Sequence, residues 1–207
     1  MYTPDSFKLD DLARLHQIMR RYPFALLLTM NTGGIETTHL PFMVDAERGQ
    51  HGTLLAHMAH ANPHWQLFDG QCEALVVFTG PHAYISPSWY QSPVTVPTWN
   101  YAVVHAHGRP VIVKDKTRVR GMLERLVNEH EAYVDPPWST AQADEYVHQQ
   151  LDYIVAFELE ITRLEGKFKL NQNRSRTDQE GVVRALADSD DPLKREVAEL
   201  MRKQLEK

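Results

Sequence analysis

A single cysteine, Cys72, stands in 207 residues, so no intramolecular disulfide can form and the chain suits a reducing, cytoplasmic setting. No histidine or aspartate is spaced around it in a nucleophile's pattern, and a lone thiol near a strand ordinarily packs as a small apolar side chain. Long hydrophobic runs are lacking too. The longest, Phe24–Met30, falls far short of the roughly 20 residues a membrane helix needs, so no membrane partner is expected. The opening residues, Met1-Tyr-Thr-Pro-Asp-Ser-Phe7, carry neither a basic nor an apolar leader region, which speaks against export. Positive charge is not in excess: 22 Lys and Arg face 27 Asp and Glu, a formal net charge of −5. Dedicated nucleic-acid binders usually run the other way. Also missing are a G-x-S-x-G nucleophile elbow, a paired-glycine dinucleotide fingerprint, and any carboxylate pair suited to acid–base work.

What is present is an ordinary globular composition, 43% hydrophobic and 24% charged, enough for a buried core. Leu12, Leu15, Ile18 and Met19 recur at helical spacing over 10–21 and stop before Pro23. Strands are expected at Phe24–Met30 and Ile35–Leu40 about a Gly33-Gly34 turn, with Phe42–Val44 extending the second. Thr53–His57 and Glu73–Thr79 read as further strands, separated by a short helix or turn at His60–Phe68. Four prolines (Pro81, Pro87, Pro93, Pro97) within Gly80–Thr98 predict an irregular excursion, since proline ends helices and avoids central strands. Strands follow at Trp99–His107 and Pro110–Val113, then an amphipathic helix at Thr117–Glu131, a second helix at 140–150, and a long strand at Ile154–Leu164. Gly181–Ala187 and a segment starting at Asp191-Pro192, with aspartate as cap and proline at the first helical position, form a helical tail. Six or seven mainly antiparallel strands with peripheral helices give an α+β chain built on a small barrel. The expected division is residues 1–175, with a helical insertion near 115–150, and a tail at 176–207.

Eleven histidines are many. His105 and His107 face the same way on a strand, as zinc ligands do, yet no CxxC or HExxH pattern accompanies them and no metal is expected. Three other segments carry chemistry. At His57-Met-Ala-His-Ala-Asn62-Pro63 a strand runs into a candidate helix start, whose free N–H groups favour an anion; an ordinary junction capped by Asn62 is the plain alternative. At Val96-Pro-Thr-Trp-Asn-Tyr101 aromatic rings could stack on a planar ligand while Asn100 bonds its heteroatoms, or simply join the core. Lys167-Phe-Lys-Leu-Asn-Gln-Asn-Arg-Ser-Arg176 combines four cations and three side-chain amides, a donor–acceptor set suited to phosphate and to a flavin's pyrimidine edge, or to a solvated loop. A second basic stretch runs from Lys114 to Arg120.

Taken in order, these segments resemble the PaiB-type FMN-binding negative transcriptional regulators. Met1–Phe7, Thr38-His-Leu-Pro-Phe42, His57–Trp65, Phe78–Tyr90, Val96–His105 and Lys169–Ser175 carry the resemblance. It implies a split β-barrel related to flavin reductases and pyridoxamine-phosphate oxidases, with FMN held at a homodimer interface. It implies that Thr38, His39, Leu40 and Pro41 line the isoalloxazine and that His57, His60 and Asn62 hold the phosphate. Trp99, Asn100, Lys169, Gln172, Asn173 and Arg174 would close over the ring, some from the second chain. His60 stands where the family usually has arginine, and Asn171 where it often has serine. The resemblance implies regulation of transcription, and the first reading is a flavin-binding regulator without turnover; DNA is a candidate partner through the basic residues Arg118, Arg120 or the Lys167–Arg176 segment, although no helix-turn-helix pattern is visible. The rival is an FMN-dependent oxidoreductase acting on a small substrate, since flavin chemistry can rest on the cofactor itself.

Overall fold

The computed structural model describes residues 1–206. Its eight strands are β1 (Lys8–Leu9), β2 (Phe24–Asn31), β3 (Gly34–Pro41), β4 (Met43–Asp45), β5 (Thr53–Ala59), β6 (Ala74–Ile85), β7 (Thr98–Ile112) and β8 (Ile154–Lys169). Five α-helices accompany them: α1 (Leu12–Arg21), α2 (Lys116–Glu131), α3 (Asp144–Gln150), α4 (Arg176–Ala187) and α5 (Pro192–Leu205). The strands form one sheet in the order β3-β2-β6-β7-β8-β5-β4, with β1 pairing on β8. The β2–β3, β2–β6, β4–β5 and β5–β8 pairs are all antiparallel. The class is therefore α+β and mainly antiparallel, with β3 and β4 as open edges.

The chain divides into two compact units. One comprises Met1–Tyr22, Phe78–His105 and Glu165–Lys207; the other Pro23–Val77 and Ala106–Leu164. In the first unit the apolar stripe of α1, Leu15, Ile18 and Met19, is buried, as are Val182 and Leu186 of α4 and Val197 and Met201 of α5. Each of these helices starts on a side-chain cap. Asp11 accepts from Arg14 N, Ser175 from Asp178 N, and Asp191 from Leu193 N ahead of Pro192, which satisfies amide groups that no helical carbonyl can reach. In the second unit Phe157 of β8 packs edge-on to Phe42 and 4.8 Å from the Phe68 ring, centre to centre. Leu27, Leu54, Val76 and Leu159 complete that core.

Several elements depart from the sequence expectation; α4 starts at Arg176 rather than Gly181, and β1 at Lys8–Leu9 was not expected. The proline-rich excursion begins later than expected, because β6 continues through Pro81 to Ile85. β2 pairs only with Ala74–Val77, so the missing N–H of Pro81 interrupts no β2 ladder. The two strands expected at Trp99–His107 and Pro110–Val113 are one, β7, despite Gly108 and Pro110. Gly108 is there for space: a Cβ on it would lie 2.2 Å from the Glu160 carbonyl oxygen and 2.6 Å from Leu159 Cδ2. β8 runs five residues beyond Leu164 to Lys169, so the basic segment opens on a strand rather than in a loop. The β2–β3 turn matches expectation. Asn31 Oδ1 accepts from Gly33 N at 2.6 Å, and Gly34 takes a positive φ of 123° that suits glycine.

Candidate functional site

Each unit gathers its own share of the residues singled out from the sequence. In the second unit β3 is an edge strand, exposed along most of its length. Thr38 is half-buried on it, held from two sides. His64 Nδ1 lies 2.8 Å from Thr38 Oγ1, and Asn62 Nδ2 donates to the same oxygen at 3.2 Å. His64 Nε2 lies 2.8 Å from Thr29 Oγ1 on the neighbouring strand. A neutral imidazole has one donor and one acceptor nitrogen, so one threonine hydroxyl donates to the ring and the other accepts. The ring is almost fully buried, and burial pushes its pKa below 6.5 against the opposing charge of Glu36. Asn62 caps a 3-10 turn at Pro63–Leu67, its Oδ1 accepting from His64 N at 3.0 Å. A strand hydroxyl, an amide and an imidazole are thus locked together at the edge of the sheet.

Around this network His39 is exposed, its ring stacked on Phe24, while Leu40 is buried and Pro41 half-buried. His60 is exposed beside the Trp65 ring, and Trp65 Nε1 donates to the His60 carbonyl at 2.9 Å. His57 faces elsewhere. It lines a cavity of about 300 Å³ with Leu123, Val127, Trp138, Tyr146 and Ile154, which none of Thr38, His60, Asn62 and His64 lines.

In the first unit Trp99 is half exposed, with Tyr84 edge-on to it and His82 tilted against it, both centroids just over 6 Å away. These three rings form a surface able to meet a flat ligand. Lys169 Nζ donates to the Trp99 carbonyl at 2.8 Å and to the Thr98 hydroxyl. Burial, with Lys167 and Arg174 as neighbouring cations, lowers the Lys169 pKa. Arg174 stacks over the Tyr90 ring, and Asn173 is exposed. Gln172 spends its amide locally, accepting from Leu170 N and donating to the Phe168 carbonyl. Asn100 alternates away from Trp99 and is wholly buried. Its Nδ2 lies 3.4 Å from Met201 Sδ, and its Oδ1 has no hydrogen-bond partner among the described residues. The excursion is anchored by buried Asp178 of α4, which accepts from Gln91 N, Ser92 N and Ser92 Oγ.

Thr29, His82, Thr98 and Asp178 were not singled out in the sequence, and His64 and Tyr84 stood in their segments without a role at the site. Two-residue alternation on β6 puts His82 and Tyr84 on one face, a signal hidden by the reading of that stretch as irregular. Thr29 and His64 lie 35 positions apart and meet only where the Pro63–Leu67 turn packs against β2, which no local pattern announces. Among the described residues no helix is long and apolar enough to cross a membrane.

Comparison with known proteins agrees with this chemistry. A family model described as "Putative FMN-binding domain" matches residues 1–163. The chain is 32% identical to the Bacillus subtilis protein named "Protease synthase and sporulation protein PAI 2", over 100% of this chain and 99% of that one. Among solved structures it is similar to the FAD and heme binding protein from Mycobacterium smegmatis, with a TM-score of 0.62 at 14% identity, covering 83% of this chain and 78% of that one. It is also similar to a flavocytochrome from Azotobacter vinelandii, with a TM-score of 0.57 at 14% identity, covering 78% and 69%. At such identities the structural likeness concerns the fold, which is the split barrel expected from the sequence. The chain belongs to the FMN-binding family that takes in the Bacillus subtilis PAI 2 protein, and its cofactor is FMN.

Proposed function

We propose that this protein holds FMN at a homodimer interface and acts as a flavin-responsive regulator of the PaiB type rather than as an enzyme that turns over substrate. The observation that carries the reading is the Thr38–Asn62–His64 network on the open edge strand β3. Its donor set fits the cofactor. An edge strand offers unpaired N–H and C=O groups to the pyrimidine edge of the ring, and Thr38, His39, Leu40 and Pro41 border it. His60 and Asn62, ending the segment that starts at His57, take the phosphate. Trp99, with the Lys169, Gln172, Asn173 and Arg174 segment and Asn100 behind it, closes over the ring, in part from the second chain. FMN supplies one- and two-electron redox chemistry when bound. This chain's part is to orient it, exclude water from one face and neutralise its phosphate.

The homodimer is supported by apolar side chains on the β2–β3 hairpin. Met30 and Ile35 pair across the strands and are 73% and 68% exposed. A stable interface of the kind proposed buries upwards of about 2,000 Å². Residues 1–175 form the flavin-binding domain of this proposal, with α4 and α5 as the tail, in a cytoplasmic protein. DNA is the proposed regulatory partner, reached through Arg118, Arg120 or the Lys167–Arg176 segment, with affinity falling steeply as salt rises. The test combines the visible spectrum of the purified protein, sedimentation with FMN bound, and addition of NADH or NADPH. A yellow dimer that neither nucleotide reduces catalytically is expected. An FMN-bound monomer at micromolar concentration overturns the dimer, and sustained turnover with either nucleotide moves the protein to the oxidoreductases.

A further inference from the structure

The helical insertion of the second unit carries a cavity that the flavin network does not use. It has about 300 Å³, the lower end of the range for small-molecule sites. α2 leaves its apolar face incompletely covered. Only Val119 is buried outright, while Met122 and Leu123 are partly buried. Leu123 and Val127 of α2 form one wall and Val147 of α3 another, with the Trp138 and Tyr146 rings half to mostly exposed beside them. No carboxylate, ammonium or guanidinium lines it, so a charged ligand would lose its water without compensation. The polar groups on the wall are His57, Thr140, Tyr146 and Gln150. His57 projects from β5, and among the described residues its imidazole has no hydrogen-bond partner. Burial lowers its pKa and so favours the neutral ring, which offers one donor and one acceptor nitrogen.

We propose that this cavity binds a small, uncharged aromatic molecule, its ring against Trp138 and Tyr146 and its polar group hydrogen-bonded to His57. Flat aromatic surfaces favour a flat aromatic partner in offset or edge contact. The lone unpaired imidazole sets its orientation, as isolated polar groups do in apolar sites. Of the residues the sequence assigned to the flavin phosphate only His57 lines this cavity, and none of the Thr38, His60, Asn62 and His64 side chains does.

The test is calorimetric titration of the FMN-loaded protein with indole, and with benzoate as a charged aromatic of similar size. Saturable binding of indole at one site per chain is expected, with none for benzoate. Val147→Trp, which fills the cavity, abolishes indole binding while leaving FMN content unchanged. His57→Phe keeps a ring but removes the hydrogen bond and weakens indole about two- to tenfold, the worth of one such bond. The proposal is overturned if indole does not saturate or benzoate binds equally well. It is overturned equally if Val147→Trp binds indole as wild type does, or if riboflavin displaces indole, which would make the cavity part of the flavin site. Should Val147→Trp fail to fold, a wild-type indole affinity in His57→Phe overturns it.

Discussion

Replacing His64 by leucine tests whether the imidazole is what ties β2 to β3 at the flavin edge. The substitution keeps a buried apolar volume and removes both ring nitrogens. Thr38 Oγ1 still receives the Asn62 amide at 3.2 Å. Thr29 Oγ1 loses the His64 partner at 2.8 Å and is 2% exposed, so water does not replace it. A buried hydroxyl left without a partner costs about 1–3 kcal/mol. For a chain of this size each kcal/mol moves the melting temperature by about 2–4 °C, so His64→Leu should melt about 2–12 °C lower. Adding Thr29→Val removes the orphaned hydroxyl along with its lost partner. Replacing both members of a buried hydrogen bond by apolar groups of like shape is close to neutral, so the double variant should recover most of the loss. A pH series adds an independent reading. Burial holds the folded His64 below its ordinary 6.5. Stability from the neutral ring is therefore complete above 6.5 and is lost as pH falls through the lowered folded value. His57 shifts in the same direction, so the quantity to compare is wild type minus His64→Leu, which should shrink as the solution is acidified below 6.5. Thermal melts by circular dichroism measure all three. If His64→Leu melts with wild type, or if Thr29→Val adds its own loss instead of recovering it, the network is not what fixes the strand edge.

His60→Arg should tighten FMN binding, because a guanidinium offers a phosphate a planar, permanently charged fork of donors; fluorescence titrations with FMN, and with riboflavin as the phosphate-free control, measure it, and equal gains for both ligands would remove His60 from the phosphate. Gly108→Ala should cost about 1–3 kcal/mol or more in urea unfolding, since overpacking against a fixed carbonyl is not relieved by a rotamer change. Asp178→Asn should speed proteolytic cleavage within Ser86–Pro97 by weakening the anchor of that segment. Hydrogen bonds from the Ser92 hydroxyl, then from Ser92 and Gln91 amides and the Ser175 hydroxyl, hold the Asp178 carboxyl down to about 2. Its contribution is therefore full above the ordinary 3.8 and is lost as pH falls towards 2, and the variant should lack that acid-dependent loosening.

Periodicity and punctuation carry much of this fold. The stripe of Leu15, Ile18 and Met19 gave α1, and Asp191-Pro192 gave the start of α5 within a residue. The misreadings of β6 and β7 share a cause. Pro81, Gly108 and Pro110 act as breakers only where the backbone needs what they lack, and that depends on which neighbour lies beside each residue. The site was legible as segments and not as contacts. Thr38 and Asn62 could be picked out within their own segments. His64 could not be ranked above His57 or His60, because its role comes from side-chain contacts with residues 26 and 35 positions away. Asn100 shows the converse: adjacent to an exposed tryptophan in sequence, it faces the opposite way by strand alternation.

The division of the chain also bears on the order in which the protein can be made. The unit that contains α1 is completed by the end of β8 and by α5. Lys8 pairs with Lys167, and the Arg21 guanidinium meets Glu196 across 175 positions. At about 5–20 residues per second of synthesis, the first helix waits on the order of ten seconds or more for its partners, with Leu15, Ile18 and Met19 still uncovered. All parts of the other unit have been made by residue 164. During synthesis the nascent chain thus presents an apolar amphipathic helix whose partners are made last, a state in which a holding chaperone would have a specific segment to bind.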